Sequence, residues 1–359
     1  MKIKVFAVAI CLALVFCVFV GCGDSNDSAV SSSQSDVSSV ADVVSDSSNT
    51  TDTPNDIFYK VDYTKISPMI LENSGEEVVL AAKQVITAFL NYENSVSVEV
   101  VGNQSLFMND LGYIINCSCP LFSAFTDFNE VSAYNKNNGT VSWNFLISED
   151  EFKTVTADFT EKIEKMLSVI DKSDSDAMKA VLLYYEVIRG AIYDDALNGD
   201  GYLTMDDKEY RLRSSAYCVL NNKSGLCTNI SQALMFLYTQ SELSCGTVLH
   251  MGGAGAHMWN VVKIDEKYYY CDATWDVGSS LNTFGITADD RLTWAGGYSK
   301  EDGKMFKTVI AEKYSVDDTR FEILRSKVPV EITKIKTDKA AQTITFEGYE
   351  YEYTFSCKG

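Results

Sequence analysis

The stretch KSGLCTNISQALMFL, residues 223–237, decides the fold expected for this chain. Gly225 interrupts the preceding chain, and apolar residues then recur at helical spacing from Ile230 to Leu237. A helix is therefore predicted with Cys227 in its first turn. A thiol there has a lowered pKa, because the helix dipole and the unpaired N–H groups of the first turn stabilise the thiolate. The same N–H groups, including that of Cys227, could hold an oxyanion.

Two helper residues for such a thiol follow it in the sequence. His257 lies in the stretch AHMWN (256–260), and Asp272 lies in YCDATWD (270–276). His257 would take the thiol proton, and Asp272 would fix the imidazole tautomer and favour the imidazolium. An isolated cysteine, histidine or aspartate is more often structural. The ordered combination, flanked by Trp259 and Trp275, favours a cysteine nucleophile with a base and an orienting acid.

A small antiparallel sheet is predicted beside the helix. Strands are expected over 246–250, 259–264 and 267–272, and Asp265-Glu266 joins the last two in a hairpin. A histidine and an acid that lie 15 residues apart face each other naturally across such a hairpin. The fold class is therefore α+β, with the nucleophile at a helix N-terminus packed on an antiparallel sheet.

These residues together resemble the transglutaminase-like superfamily, whose Cys-His-Asp domain is related in geometry to papain-like proteases. The resemblance covers about residues 174–290 and is carried by AYCVL (216–220), SGLC (224–227), AHMWNVV (256–262) and YYCDATWD (269–276). It implies a papain-like or transglutaminase-like core in which Cys227 is the nucleophile, His257 the base and Asp272 the orienting acid. Trp259, Trp275 and Tyr217 are then expected to line the site, and no cofactor is implied.

Two features near these residues leave alternatives open. Bacterial relatives commonly carry Glu or Thr followed by Gly where this chain has Thr228-Asn229, so Asn229 could narrow the site entrance. His250 is the other candidate base, because the chain has only two histidines. Its neighbours Met251-Gly252-Gly253 predict a loop beside the site, which favours His257 as the base.

No metal site is predicted. Residues 196–207 resemble the middle of an EF-hand loop, but Ala196 stands at the first ligand position and Asp207 replaces the final Glu. Loss of the first carboxylate weakens a site for a hard cation, so an acidic surface loop is favoured over a calcium site. No cysteine spacing matches a zinc ribbon, and two histidines without clustered thiols do not suit a metal-dependent hydrolase.

The first 22 residues are typical of an export signal. Lys2 and Lys4 precede an apolar run over 5–20 that is short for a membrane span. The stretch FVGC (19–22) resembles a bacterial lipobox, although Phe19 replaces the usual Leu. We therefore expect residues 1–21 to be a lipoprotein signal peptide and Cys22 to be lipidated, which holds the protein on the bacterial membrane, facing outward. An ordinary secretory signal and an uncleaved anchor are the alternatives, and both also place the protein outside the cytoplasm.

Composition predicts a disordered tether and bounds the partners. Residues 22–55 are rich in Ser, Asp, Val, Asn and Thr and contain no aromatic residue, so they cannot form a core. The formal net charge is −20, and cleavage before Cys22, which removes Lys2 and Lys4 but no acid, would leave −22. Such a chain repels phosphate backbones, so nucleic acid is excluded as a partner. The charge suits basic peptides or cationic polymers, or it serves solubility.

The rest of the chain is predicted to have three regions: an N-terminal supporting region (56–150), a catalytic domain (151–300) and a C-terminal β-containing region (301–359). The supporting and C-terminal regions show no chemistry of their own. Predicted elements outside the candidate site are a helix over 76–91, strands over 97–101 and 140–147 with a turn at 135–139, a helix capped by Ser148 and running to about Leu167, a helix after Asp174, and a hairpin over 343–355 around Glu347-Gly348.

The cysteines permit disulfides without requiring them. Cys11 and Cys17 leave with the signal peptide, and Cys22 and Cys227 have the roles given above. Six others remain, an even number that suits either disulfides in an oxidising compartment or buried reduced thiols. They are Cys117, Cys119, Cys218, Cys245, Cys271 and Cys357.

Together these features predict a membrane-tethered, extracytoplasmic, cysteine-dependent acyl-transfer enzyme. Cys227 would attack a carboxamide or peptide carbonyl, and water or an amine would resolve the thioester. The expected substrate is a peptide or protein, and hydrolysis of peptide or cell-wall peptide bonds is favoured. A protein-glutamine cross-linking transglutaminase and a catalytically silent binding module with the same fold are the alternatives.

Overall fold

The structure is a computed structural model that describes residues 58–129, 132–197, 205–252, 255–278, 280–294, 313–328 and 331–359. The predicted signal peptide, the tether and Cys22 lie outside the described residues. Within these ranges the chain forms eleven α-helices and twelve short strands, so the predicted α+β class is confirmed. None of the helices in these ranges has both the length and the apolar character that crossing a membrane requires.

Helices dominate the first half of the chain. Helix α2 (Glu76–Leu90) matches the helix predicted over 76–91, and α5 (Glu149–Leu167) begins at the predicted cap. The Ser148 hydroxyl accepts the Glu151 N–H, and the Glu151 carboxylate accepts the Ser148 N–H in return. These helices are α1 Pro68–Asn73, α2 Glu76–Leu90, α3 Gln104–Ser118, α4 Pro120–Phe125, α5 Glu149–Leu167 and α6 Asp176–Ile188.

A three-stranded sheet in this region differs from the prediction. Strand β1 spans Ser95–Ser97, β2 spans Tyr134–Asn135 and β3 spans Thr140–Ser142, in the order β1-β3-β2. The strand predicted over 97–101 is therefore wrong beyond residue 97, because Gly102 with φ +75° turns the chain into α3. With so short a partner, β3 ends at residue 142 and not at 147. The predicted turn at 135–139 is confirmed by the Gly139 N–H, which donates to Asn135 O at 3.0 Å.

The predicted helix after Gly225 packs on a four-stranded antiparallel sheet. Helix α9 (Cys227–Gln240) contacts strands β6 (Cys245–Gly252) and β7 (Gly255–Ile264), and it also contacts helices α6 and α8 (Ala216–Asn222). The sheet order is β6-β7-β8-β9, and Asp265 and Glu266 form the predicted hairpin turn with φ of +47° and +66°. These elements are β4 Ile192–Tyr193, α7 Asp207–Arg213, α8 Ala216–Asn222, β5 Ser224–Gly225, α9 Cys227–Gln240, β6 Cys245–Gly252, β7 Gly255–Ile264, β8 Lys267–Cys271 and β9 Phe284–Ile286.

The C-terminal hairpin backs this sheet through aromatic rings. The Phe321 ring lies 5.6 Å from the Phe355 ring and 5.0 Å from the Phe284 ring, measured between centroids. Gly285 permits this approach, because a Cβ there would lie 2.5 Å from the Phe321 Cβ. The predicted hairpin around Glu347-Gly348 is confirmed. The last elements are α10 Ala288–Trp294, α11 Glu322–Lys327, β10 Lys334–Asp338, β11 Thr343–Glu347 and β12 Glu352–Ser356, and the last three pair in the order β10-β11-β12.

One buried cluster takes side chains from all three predicted regions. It extends along the chain from Tyr59 to Cys357 and includes Phe122, Tyr184 and Phe346. The described cysteines are all free thiols, and every one of them except Cys227 is buried. Within the described residues, the thiols therefore match the reduced alternative.

Candidate active site

Cys227 is the first residue of α9, and the chain before it is held tightly. Strand β5 immediately precedes the helix and pairs in parallel with β4. A Cβ on Gly225 would lie 2.6 Å from Val219 Cγ2 and 3.1 Å from Asn229 Cβ. Only glycine fits there without movement of its neighbours, so the position of Cys227 depends on the glycine that the sequence places two residues earlier.

Asn229 caps the start of α9. Its Oδ1 accepts the Leu226 N–H at 3.1 Å, and its side chain is buried. The expectation that Asn229 narrows the site entrance is therefore corrected: the amide is taken up by the backbone of the helix start. The first intrahelical bond of this turn runs from the Ile230 N–H to Leu226 O at 2.9 Å. In a helix that starts here, the N–H groups of residues 227–229 have no acceptor within the helix.

His257 and Asp272 meet beside the thiol. His257 Nε2 lies 2.8 Å from Asp272 Oδ2, and both side chains are buried. The imidazole also hydrogen-bonds with the Cys227 side chain. Because Asp272 engages Nε2, Nδ1 is the nitrogen left for the thiol. The three residues predicted to act together are thus in contact, in the order thiol, imidazole, carboxylate.

Charge at the site favours a thiolate beside an imidazolium. Burial raises the pKa of Cys227, but the hydrogen bond and charge of His257, with the Met258 backbone N–H, outweigh burial and lower this pKa below its usual value. Burial likewise favours neutral His257, but Asp272 and Cys227 outweigh it and raise the pKa of the imidazole to about 10. Both shifts stabilise the charged pair at neutral pH.

A buried arginine completes the site, and the sequence did not predict it. Arg291 Nη2 on α10 lies 3.0 Å from Asp272 Oδ2, the oxygen that also faces His257. The guanidinium lies over the Trp259 ring at 4.4 Å from its centroid. Arg291 falls beyond the stretch that carries the family resemblance, and no local pattern links it to Asp272.

Asp276 holds the turn that follows Asp272. The sequence did not predict this role either. Its carboxylate accepts the Tyr184 hydroxyl at 2.7 Å and the Ser280 hydroxyl at 2.6 Å. It also accepts the backbone N–H groups of Asn282 and Thr283 at 3.0 and 2.8 Å. Burial raises the pKa of Asp276, although the hydrogen bonds from Ser280, Tyr184 and Thr283 oppose the shift. The neighbouring sequence YCDATWD gives no sign of a partner as distant as Tyr184.

The two predicted tryptophans contact the histidine. The Trp259 ring stacks at 5.9 Å from the His257 ring, and the Trp275 ring meets it edge-on at 6.3 Å. Trp259 is buried, whereas Trp275 is 56% exposed. Trp259 therefore belongs to the wall behind the imidazole, and Trp275 forms a rim that a ligand can reach.

Tyr217 has a different environment. Its ring packs against Phe125 at 5.0 Å and against Phe159 at 4.8 Å, and its hydroxyl accepts the Asn221 amide at 3.1 Å. These contacts belong to the buried cluster between α4, α5 and α8. A role for Tyr217 in lining the site stays a prediction.

The alternative base and the acidic loop are described only in part. The loop predicted directly after His250 is wrong up to Gly252, because strand β6 extends through Gly252. In the β6–β7 ladder, His250 is the backbone partner of His257. The His250 side chain lies outside the described residues, as do residues 198–204 of the acidic loop. Asp207, the last position of the EF-hand resemblance, is the first residue of α7. In the described ranges, no three or more His, Cys, Asp or Glu side chains are grouped to hold a metal.

Comparison with known proteins finds a distant structural likeness. A solved structure described as "Crystal structure of a TGase" matches with a TM-score of 0.26 and 17% sequence identity. The match covers 46% of this chain and 40% of that chain, so it spans well under two thirds of either. No family model matches the chain, and no curated protein matches it.

Proposed function

We propose that this protein is a cysteine-dependent acyl-transfer enzyme with Cys227 as nucleophile, His257 as base and Asp272 as orienting acid. The observation that carries the proposal is the continuous contact from thiol to imidazole to carboxylate at the start of α9. Burying a charged pair of this kind has an unfavourable desolvation free energy. Its presence therefore indicates that the charges have a function. A thiolate held ready beside an imidazolium is the arrangement that nucleophilic catalysis uses.

The residues divide the reaction in a simple way. The Cys227 thiolate attacks a carbonyl carbon, and the first-turn N–H groups of α9 stabilise the oxyanion. The His257 imidazolium gives its proton to the leaving amine as the C–N bond breaks, which leaves a thioester on Cys227. Neutral His257 then removes a proton from water or from an acceptor amine as it attacks. Collapse releases the acyl product and restores the thiolate–imidazolium pair, while Asp272 keeps the ring oriented throughout.

The proposed substrate is a peptide or protein, and hydrolysis of a peptide or side-chain amide is the favoured outcome. An exposed aromatic rim at Trp275 suits side chains of a polypeptide. Together with the predicted export signal and the FVGC stretch, this supports a peptidase or amidase that works outside the cytoplasm, is held to the membrane through Cys22 and acts on peptide or cell-wall peptide bonds.

The test compares two cysteine variants of the same chain. The protein is incubated with peptide and peptide-amide libraries, with and without methylamine, and amine release, amine incorporation and acyl-enzyme mass are measured. Cys227→Ala is expected to abolish all three signals. Cys218→Ala, which removes a buried thiol of α8, is expected to retain them.

The outcomes separate the alternatives. Amine incorporation in excess of hydrolysis would favour a cross-linking transglutaminase. A thiolate that reacts at low pH but forms no acyl adduct with any substrate would favour a silent binding module. Turnover that survives in Cys227→Ala would overturn the proposed nucleophile.

A further inference from the structure

Asp272 faces two positive partners through one oxygen. His257 Nε2 lies 2.8 Å from Asp272 Oδ2, and Arg291 Nη2 lies 3.0 Å from the same atom. Arg291 is 4% exposed, so this guanidinium has been taken out of water to reach the carboxylate. Removal of a charge from water is unfavourable by several kcal/mol unless a partner compensates it. The burial of the Arg291 guanidinium therefore indicates a stabilising interaction within the site.

The fold fixes Arg291 from two sides. Just before α10, the Thr287 hydroxyl accepts the Asp290 N–H at 3.0 Å, and the Arg291 N–H donates to Thr287 O at 3.0 Å. Within the site, the guanidinium lies over the Trp259 ring, the same ring that stacks against His257. The arginine thus contacts both the acid that orients the imidazole and the wall behind the imidazole.

Arg291 changes the net charge of the site. The proposed active form has a thiolate on Cys227, a carboxylate on Asp272 and an imidazolium on His257. These three groups are buried or half-buried and sum to one negative charge. The guanidinium of Arg291 brings the sum to zero. A neutral set of buried charges is much easier to hold than one with a net charge.

We propose that Arg291 is a positioning residue: it fixes the Asp272 carboxylate against His257 and supplies the second positive charge that balances the thiolate and the carboxylate. Arg291 acts through Asp272 and Trp259, so substrate need not touch it. This inference rests on the proposed thiolate chemistry, but it concerns the charge state of the site and can be tested without any substrate.

The electrostatic consequence has a definite sign. Removal of a cation makes every nearby group harder to deprotonate. The pKa values of Cys227 and of His257 should therefore both rise when Arg291 loses its charge. A residue that merely fills space would change stability without moving both values upward.

Other charged and titratable groups around Arg291 set the controls. Burial raises the pKa of Tyr270, and the charge of Arg291 opposes this rise. The Tyr270 ring packs edge-on against the Trp259 ring, with 5.8 Å between centroids. Asp290, next to Arg291 on α10, pairs with Arg325 of α11 at 3.2 Å. Arg325→Met therefore removes a neighbouring guanidinium from α11 and leaves the Asp272 contact in place.

The experiment measures the pH dependence of Cys227 alkylation by iodoacetamide, quantified by peptide mass spectrometry, in the full chain. Arg291→Met is expected to move both the lower inflection, where the thiolate forms, and the upper inflection, where the imidazolium loses its proton, to higher pH by about one unit or more. Arg291→Lys, which keeps the charge, and Arg325→Met should each move them far less. Circular dichroism verifies that each variant is folded.

Unmoved inflections in folded Arg291→Met would overturn the proposal, as would equal shifts in Arg291→Met and Arg291→Lys. If Arg291→Met does not fold, Arg291→Gln carries the same test, since it removes the charge but keeps hydrogen-bonding groups. Failure of the proposed function has a different signature: Cys227 of the unaltered protein would then alkylate only near the pH of an ordinary thiol, or would alkylate at low pH without any turnover.

Discussion

The His257 and Asp272 side chains lie 2.8 Å apart although Asp272 stands one residue beyond the end of the β7–β8 ladder. The last pair of that ladder is Asn260 with Cys271. The next residue, Asp272, follows the end of β8 and does not pair with β7. Its N–H donates to Thr283 O at 3.1 Å. If the register continued for one more residue, Asp272 would stand diagonally to His257, and diagonal residues of antiparallel strands share a face of the sheet. The turn held by Asp276 therefore helps to place Asp272, because Asp276 accepts the N–H of the same Thr283.

The thiol–imidazole pair predicts reactivity at low pH. Because the pKa of Cys227 is lowered, iodoacetamide should alkylate it well below the pH of about 8.5 at which ordinary thiols ionise. A second inflection is expected near pH 10, where His257 loses its proton. The internal control is the set of buried thiols such as Cys117 and Cys271, whose pKa burial raises to about 12. A single inflection near the ordinary thiol value would contradict the pairing.

Asp272→Asn should shift the same profile in the direction opposite to Arg291→Met. Loss of the carboxylate removes the anion that raises the pKa of His257, so the imidazolium loses its proton at lower pH. Arg291 also loses its buried acid, which should lower the free energy of unfolding by about 3–5 kcal/mol.

The matched control for this substitution is Asp265→Asn, which removes a partly exposed carboxylate paired with Arg320. It should change stability by less than about 1 kcal/mol and leave the alkylation profile in place. Chemical denaturation and the alkylation assay measure the two effects separately. An upper inflection that stays where it was in Asp272→Asn would count against the assigned role of the acid.

Gly225→Ala should displace Cys227 indirectly, by moving the chain around it. The new Cβ would lie 2.6 Å from Val219 Cγ2, so either α8 or the start of α9 must move. We expect a loss of about 1–3 kcal/mol in unfolding free energy and slower alkylation of Cys227. Gly75→Ala is the control, since its Cβ would meet only the flexible end of Glu77 at 3.2 Å. Equal melting temperatures for the two variants would refute this account.

Trp275→Ala should affect substrate binding more than folding. The side chain is 56% exposed and meets His257 edge-on, so its removal should change stability by no more than about 0.5 kcal/mol. The KM for a peptide substrate should rise, while the lower inflection of Cys227 alkylation stays in place. Tyr349→Ala, at an 82% exposed aromatic of the C-terminal hairpin, serves as the control and should leave KM unchanged. An unchanged KM in Trp275→Ala would contradict the assignment of Trp275 to the rim of the site.

The sequence predicted those parts of the site that depend on local pattern. The break at Gly225, the apolar spacing after Cys227 and the Asp265-Glu266 turn are short-range signals, and each led to the observed element. Arg291 and Tyr184 are different, because their contacts with Asp272 and Asp276 form only when distant segments pack. No periodicity encodes such a contact.

Two local predictions failed for tertiary reasons. Residues 98–101 have strand-like composition, but β1 has only a three-residue partner and Gly102 redirects the chain. The sequence predicted that Asn229 could narrow the entrance of the site. Its amide instead bonds the Leu226 N–H, a contact that could be recognised only once the start of α9 was fixed.

The Phe355–Phe321–Phe284 contacts bear on how this protein can be shortened. A polypeptide that ended after Val328 would lack Phe346 and Phe355, leave Phe321 without its outer neighbour and open a void behind β8 and β9. We therefore expect a fragment that assembles the site to extend to Cys357, whose side chain is fully buried. A purification tag attached at the C-terminal hairpin is expected for the same reason to disturb the packing of that hairpin in the core.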